Sequence, residues 1–277
     1  MIYNEFGHQS HRINPVQQHT PIFSETHDYS VGIFYAGEAG VSLIARAQSV
    51  PVHIFAALTS VETLLDVYAG DIEDGDLFCA SDPYYGGSHI PDWTIVKPIF
   101  VDGRPMFFTS VRGHVNDVGG CAPGGYNTIA REIWQEGFRL PPLKLRSRGK
   151  DLKDIWNLIV SNTRTKDEIN GDLNAMVGGC VIGAQRLQTI IDKYGKEVMR
   201  KSADYILNYS ETRLRAEIER WPDGVYHGRS VLDHDYAGGG PVPVEAKITV
   251  SGSELEIDLE GSHPQVPGFV NSVAANT

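Results

Sequence analysis

The chain has 277 residues, enough for one large domain or two modest ones, and its 41% apolar content is ample for a buried core. Its 24 Lys and Arg against 35 Asp and Glu leave a net charge of −11, a field that repels a phosphate backbone, so nucleic acid is not an expected partner. No run approaches the ~18 uninterrupted apolar residues of a membrane span, and the opening MIYNEFGHQSHRINPVQQ lacks the charged-then-apolar order of a secretion signal. The expectation is a soluble, cytoplasmic protein with no membrane partner.

Residues 1–27 are polar, rich in His and Gln, and carry Pro15 and Pro21, which reads as an irregular arm. From Asp28 the pattern turns β-like: Tyr29 to Tyr35, a turn over Ala36 to Gly40, then Val41 to Ala47, a hairpin with Asp28 at its mouth. Val52 to Tyr68 places Phe55, Leu58, Val61, Leu65 and Tyr68 at helical spacing, predicting a helix that faces a core with those residues. His53 lies in its first turn; such a histidine is more often a hydrogen-bonded structural residue, though it can also orient a metal ligand from behind. An acidic turn over Gly70 to Asp76 leads to a short buried strand, Leu77 to Ala80.

The arrangement H-x-x-D then occurs twice, His89 and Asp92 in GSHIPD and His114 and Asp117 in RGHVNDVGG, 25 residues apart. Between the copies, the runs Trp93 to Val101 and Pro105 to Val111 are joined by Asp102-Gly103, a strong hairpin signal. A hairpin brings its two outer ends together, so two imidazoles and two carboxylates can converge. Zinc, manganese and iron(II) accept that mixture of ligands, and a site short of its full protein ligand count leaves room for water or substrate. Gly86-Gly87 and Gly119-Gly120 flank the pair, as expected where backbone turns sharply. Either H-x-x-D alone would read as strand caps and turn aspartates; the repeat about one hairpin favours a metal site.

Cys79, Cys121 and Cys180 are odd in number and free of CxxC spacing, which argues against a disulfide frame or a thiolate zinc site and fits a reducing compartment. No neighbour offers Cys121 a dedicated base, so packing is its expected role. Further on, Tyr126 to Phe138 predicts a short helix, and Arg139 to Lys150, with Pro141-Pro142 and five basic residues, a solvated loop. Asp151 to Val160 and Lys166 to Trp221 read as helices, the second stretch punctuated at Gly171, Gly178-Gly179 and Tyr194-Gly195 and ending in an exposed amphipathic segment. Val225 to Leu232, Val244 to Val250 and Glu254 to Leu259 alternate as strands, with Ser251-Gly252-Ser253 as a hairpin turn. The expected fold is α+β: a mixed hairpin and sheet region bearing the metal site (28–150), a helical region (151–223) and an antiparallel β-rich region (224–277) whose continuation is expected on another chain.

The order ETHDYSVGIF, SVPVHI, GDLFCASDPYYGGSHIPDWTIVKPIFVDG, SVRGHVNDVGGCAPGGY, EIWQEGFRLPP, SNTRTKDEINGDLNA and GSHPQVPGFVN resembles the hydantoinase B/oxoprolinase family from about Glu25 to Asn271. That resemblance implies a B-type component of an ATP-dependent hydantoinase, 5-oxoprolinase, lactamase or acetone or acetophenone carboxylase. An A-type partner would bind ATP and phosphorylate a lactam or enolate oxygen; this chain carries no GxxxxGK[ST] loop of its own.

The resemblance also implies a metal set of Asp28 in HDYS, His89 and Asp92 in SHIPD, and His114 in RGHVND, which displaces Asp117 to the task of orienting an imidazole. Relatives often carry RxHH, where this chain has Val115 as the second residue, and they run on past PQVPG. A second chain supplying that part is therefore expected. The leading expectation is a subunit of an acetophenone carboxylase-like complex, with bicarbonate as co-substrate and an activated ketone enolate as small-molecule substrate. ATP-dependent opening of a cyclic amide is the alternative on the same site, and an assembly subunit without catalysis the alternative of another class.

Overall fold

The structure is a computed structural model and describes residues 20–47 and 50–277, apart from the side chain of Ser24. Of the expected irregular arm, residues 1–19 lie outside the described residues; the remainder is not irregular, because Ile22–Thr26 closes a wide helical turn. Thr20 anchors it, its N–H and hydroxyl donating to the buried Asp172 carboxylate at 3.1 and 2.7 Å.

The first compact unit runs to Tyr126, resumes over Trp134–Arg200 and includes Ser272–Thr277. Its centre is a seven-stranded sheet in the order β2-β1-β5-β4-β3-β6-β7, every pairing antiparallel. The strands are β1 (Tyr29–Gly37), β2 (Gly40–Arg46), β3 (Leu77–Ala80), β4 (Asp92–Val101), β5 (Arg104–His114), β6 (Leu143–Ser147) and β7 (Lys150–Asp151). The β4–β5 hairpin turns at Asp102-Gly103 with both residues at positive φ, 53° and 75°, the conformation a two-residue type I′ turn demands. The α+β expectation holds, and so do the hairpins at 29–47 and 92–114.

Helix α1 (Pro51–Val67) starts with proline in its first turn and covers one face of this sheet. Its stripe Ile54, Ala57, Val61 and Leu64 packs on Phe34, Phe78, Val96 and Phe108, each large apolar side chain contributing roughly 1.5–3 kcal/mol by leaving water. The expected stripe is therefore off by about one position at its start: Phe55 is 63% exposed, while Leu58, Leu65 and Tyr68 pack only at the edge of the core.

On the opposite face lies α3 (Lys166–Tyr194), a continuous helix through Gly171 and Gly178-Gly179, preceded by α2 (Lys153–Ser161). A β-carbon at Gly179 would stand 3.2 Å from a Val111 methyl, so the glycine marks close approach to the sheet and not a break. Thr109 donates to the Cys180 carbonyl at 2.9 Å across the same contact.

The basic stretch 139–150 is not a solvated loop. Leu143-Lys144-Leu145-Arg146 alternates apolar and charged, and it pairs with β3 as β6. Lys144 bridges Asp76 at 3.0 Å and Asp71 at 3.2 Å, Arg148 bridges Glu73 and Arg146 bridges Asp151, so the cations are matched to the acidic turn and to their own hairpin. The short helix expected over 126–138 shrinks to one turn at Ile133–Glu136.

The second unit contains 127–133 and 201–271. The helix α4 (Lys196–Ile218) runs into it, and a three-stranded antiparallel sheet follows from β8 (Gly224–Leu232), β9 (Val242–Ser251) and β10 (Glu254–Asp258). The turn Ser251-Gly252-Ser253 falls at the β9–β10 hairpin, where Ser251 pairs with Glu254. In the following segment Asn271 ties Val266 to Gly268 through its side-chain amide. Among the described residues, no helix is long and apolar enough to cross a membrane.

Candidate metal centre

Strand register builds the site. Asp92 on β4 pairs with His114 on β5, and the His114 N–H donates to the Asp28 carbonyl just before β1 at 3.0 Å. Side chains alternate along each strand, so His114 and Asp92 share the face of Phe108 and Val96, the face that α1 covers. His89 arrives from the loop before β4, where the Asp92 N–H donates to the His89 carbonyl at 3.1 Å and folds the two side chains together.

That loop is held from outside the motif. The buried Asp82 carboxylate accepts from the Tyr84 N–H at 2.9 Å and from Arg139, whose Nη2 stands at 2.7 Å. Gly86, at φ 83°, is where a β-carbon would come 2.6 Å from the Thr59 carbonyl on α1, so only glycine fits. Gly119, at φ 73°, plays the same part on the far side, where a β-carbon would run into the Asn162 carbonyl.

Asp92 Oδ1 lies 2.7 Å from His89 Nε2 and 3.1 Å from His114 Nδ1, and the two imidazole nitrogens are 3.2 Å apart. One ligand atom from each of these three residues falls within 4.8 Å of the others. Ligands at about 2.0–2.2 Å from a shared divalent ion stand roughly 3.0–3.4 Å from one another. The triangle is close to the edge lengths of such a polyhedron, and its nitrogen and carboxylate donors are those that zinc, manganese and iron(II) accept. Asp92 is nearly buried and His89 is about one-third exposed, so the triangle opens to solvent on the His89 side.

The other Asp92 oxygen is anchored by Ser88 Oγ at 2.5 Å and His53 Nε2 at 3.3 Å. Burial alone would push the Asp92 carboxyl up, but hydrogen bonds from His114 and His89 and the charges of His89 and His53 hold it well below the usual carboxylate range. Burial pulls His53 down, partly opposed by Asp92 and Asp28. His53 Nε2 faces two carboxylate oxygens and its Nδ1 has no partner among the described residues, so the proton of the neutral ring belongs on Nε2.

The sequence-derived candidates thus separate. His89, Asp92 and His114 converge. The Asp28 carboxylate stands 3.5 Å from His53 Nε2 and is not one of the three mutually close ligands, being joined to Asp92 through the histidine between them. His53 is closer to the ligands than its place in a helix's first turn indicated.

Among the described residues, Asp117 orients no imidazole. Its carboxylate accepts from the backbone N–H and the guanidinium of Arg164, the latter at 2.6 Å, and from the Gly119 N–H. The reason is local. In the first H-x-x-D the chain turns back between the two residues, whereas His114 is the last residue of β5 and Asp117 lies in the loop beyond it.

Two further groups stand inside stretches that carry the family resemblance, yet nothing in those stretches singled them out. Tyr126 lays its ring 5.9 Å from both His89 and His114, nearly parallel to the latter at 18°. Glu136 has its carboxyl raised by burial, with His89 acting the other way. Ser88 sits within GSHIPD itself, so the motif could have flagged it.

Residues 17–277 match the family described as Hydantoinase B/oxoprolinase. The chain is 35% identical over 256 residues to the caprolactamase subunit beta of Pseudomonas jessenii, an alignment covering 92% of this chain and 43% of that protein. It is 30% identical over 223 residues to the acetophenone carboxylase delta subunit of Aromatoleum aromaticum, covering 76% of this chain and 31% of the relative. The crystal structure of the ATP-dependent caprolactamase from Pseudomonas jessenii superposes with a TM-score of 0.88 at 32% identity, over 99% of this chain and 48% of that one. The chain spans less than half the length of these relatives.

Proposed function

The chain belongs to the hydantoinase B/oxoprolinase family, and from that premise we propose that it is the metal-binding B-type subunit of an ATP-dependent complex that opens a cyclic amide. The observation that carries the reading is the triangle of His89, Asp92 and His114. The choice of a cyclic amide over a ketone follows the caprolactamase beta relative, more similar and more widely aligned than the acetophenone carboxylase delta subunit.

His89, Asp92 and His114 would hold a divalent cation, with the Asp28 carboxylate tied to Asp92 through His53. When bound, such an ion supplies Lewis acidity and a template for oxygen ligands. Asp92 offers Oδ1 to the site because Ser88 and His53 fix its other oxygen. His53 holds a proton at Nε2 between Asp92 and Asp28, where it can follow charge changes at either carboxylate. Tyr126, 61% exposed and stacked on His114, provides a flat apolar wall against which a substrate ring can lie. ATP would bind an A-type partner.

The carboxylase reading keeps its own support in the acetophenone carboxylase relative, where bicarbonate would be co-substrate. One experiment separates the two: the complex reconstituted with an A-type partner is assayed with ATP and lactams, and with ATP, ketones and bicarbonate. Lactam opening independent of bicarbonate supports the proposal. Strict bicarbonate dependence selects carboxylation, and full turnover in either assay by His89→Ala protein shown to hold no metal ends the metal reading.

A further inference from the structure

Two residues inward along each strand from the ligand row, the same sheet face carries a second polar row. Arg112 on β5 pairs with Ser30 on β1 and with Thr94 on β4, and Ser110 follows two residues further along β5. Paired and alternating positions share a face, so these side chains lie beneath α1, Arg112 and Thr94 between the ligand row and the apolar core of Phe34 and Phe108, and Ser110 beside Val96 at the edge of that core.

Arg112, Thr94 and Ser110 are buried, Arg112 and Thr94 completely. The guanidinium makes one long hydrogen bond, from Nη1 to the His53 carbonyl at 3.4 Å. Its Nε and Nη2, the Thr94 hydroxyl and the Ser110 hydroxyl have no partner among the described residues. Ser30 is already spent on the Val50 carbonyl at 2.9 Å.

A buried guanidinium with unmet donors is costly unless something accepts from it. The carboxylate whose charge Arg112 feels is Asp92, and the Asp92 oxygens are engaged by Ser88, His53, His89 and His114. A guanidinium is not deprotonated in a protein at neutral pH, so the group is cationic. A water would meet some of the donors but would leave the positive charge unbalanced. A planar oxyanion meets both needs, since two of its oxygens match the fork of the guanidinium and another edge can accept from hydroxyls.

We propose that Arg112, Thr94 and Ser110 form an occluded site for a small carboxylate-type oxyanion, directly behind the metal row. The site is independent of the reaction assigned above and adjoins the ligand row through the shared strands and through the hydrogen bond of Arg112 to the His53 carbonyl. Its ligand chemistry can come from inorganic bicarbonate or from a carboxylate terminus.

The test is calorimetric titration of the metal-loaded chain with sodium bicarbonate and, separately, sodium formate at constant ionic strength. Wild-type protein is expected to bind at least one probe saturably. Arg112→Met should weaken that binding on the order of 100-fold, Thr94→Val by about 10-fold, and Arg112→Lys should recover part of the loss. Metal content should be the same in all of them. Binding of bicarbonate alone identifies inorganic carbon as the source, and binding of formate as well identifies a carboxylate terminus.

Undiminished binding by Arg112→Met, or no binding of either probe by metal-loaded wild type, overturns the proposal and leaves water in the row. If Arg112→Met does not fold, Thr94→Val and Arg112→Lys decide the matter. Should the wild type hold no metal, the ligand-row reading fails by itself, and the same titration on the metal-free chain still tests the oxyanion site.

Discussion

Replacing each aspartate of the two H-x-x-D repeats by asparagine should give opposite phenotypes from the same chemistry. Asp92→Asn removes the charge and one acceptor from a carboxylate contacted by Ser88, His53, His89 and His114. Substituting a residue that merely supports a ligand costs about 10–100-fold in metal affinity, so losing a ligand should cost at least about 100-fold. Asp117→Asn instead deprives Arg164 of its buried partner at 2.6 Å and disturbs the acceptor of two backbone N–H groups. Because Arg164 is 45% exposed and can turn to water, the cost should sit at roughly 1.5–3 kcal/mol, a melting shift of roughly 3–5 °C for a chain of this size. Metal content by mass spectrometry and thermal unfolding of the metal-free proteins read the two effects separately. Metal loss in Asp117→Asn with retention in Asp92→Asn would reverse the assignment and refute the geometric argument.

Further outcomes follow from the same contacts. His53→Gln should lower metal affinity about 10–100-fold through its hold on Asp92, with an unchanged circular dichroism spectrum; unaltered affinity would remove His53 from the site. Gly119→Ala should destabilise the chain by more than about 1 kcal/mol, since the positive φ and the Asn162 carbonyl both oppose a β-carbon, and a neutral result in chemical denaturation would contradict the loop packing. Asp92 titrates lower in the folded state than in the unfolded one, so in metal-free protein its stabilising effect is present above about pH 4 and fades as pH falls below that. The stability gap between wild type and Asp92→Asn should accordingly narrow between pH 6 and pH 3, and a constant gap would refute the assignment. Of the three thiols, native protein should react only at Cys121, because Cys79 and Cys180 are buried and burial pushes Cys180 up to about 12; labelling of a second thiol before unfolding would show the core to be open.

Much of this molecule is written in short-range pattern. Asp102-Gly103 between two apolar runs specified the β4–β5 hairpin, because few residues other than these accept the positive φ that a tight turn needs. That hairpin in turn brought His114 beside Asp92, and the glycine pairs marked where loops press against α1 and Asn162. Local pattern was weaker wherever a partner distant in sequence decided the outcome. The charged alternation of Leu143 to Arg146 became a strand only because β3 offered an edge and the acidic turn at Asp71 and Asp76 offered charge. The two H-x-x-D motifs are alike in spacing, yet a reversing turn at one and a strand end at the other sent Asp92 to the imidazoles and Asp117 to Arg164. Residue type and spacing named the candidates for holding a divalent ion. Strand register and the placement of α1 decided which of them meet, and set His53, Tyr126 and the buried Arg112 around them, because long-range packing carries no signature in the spacing of residues along the chain.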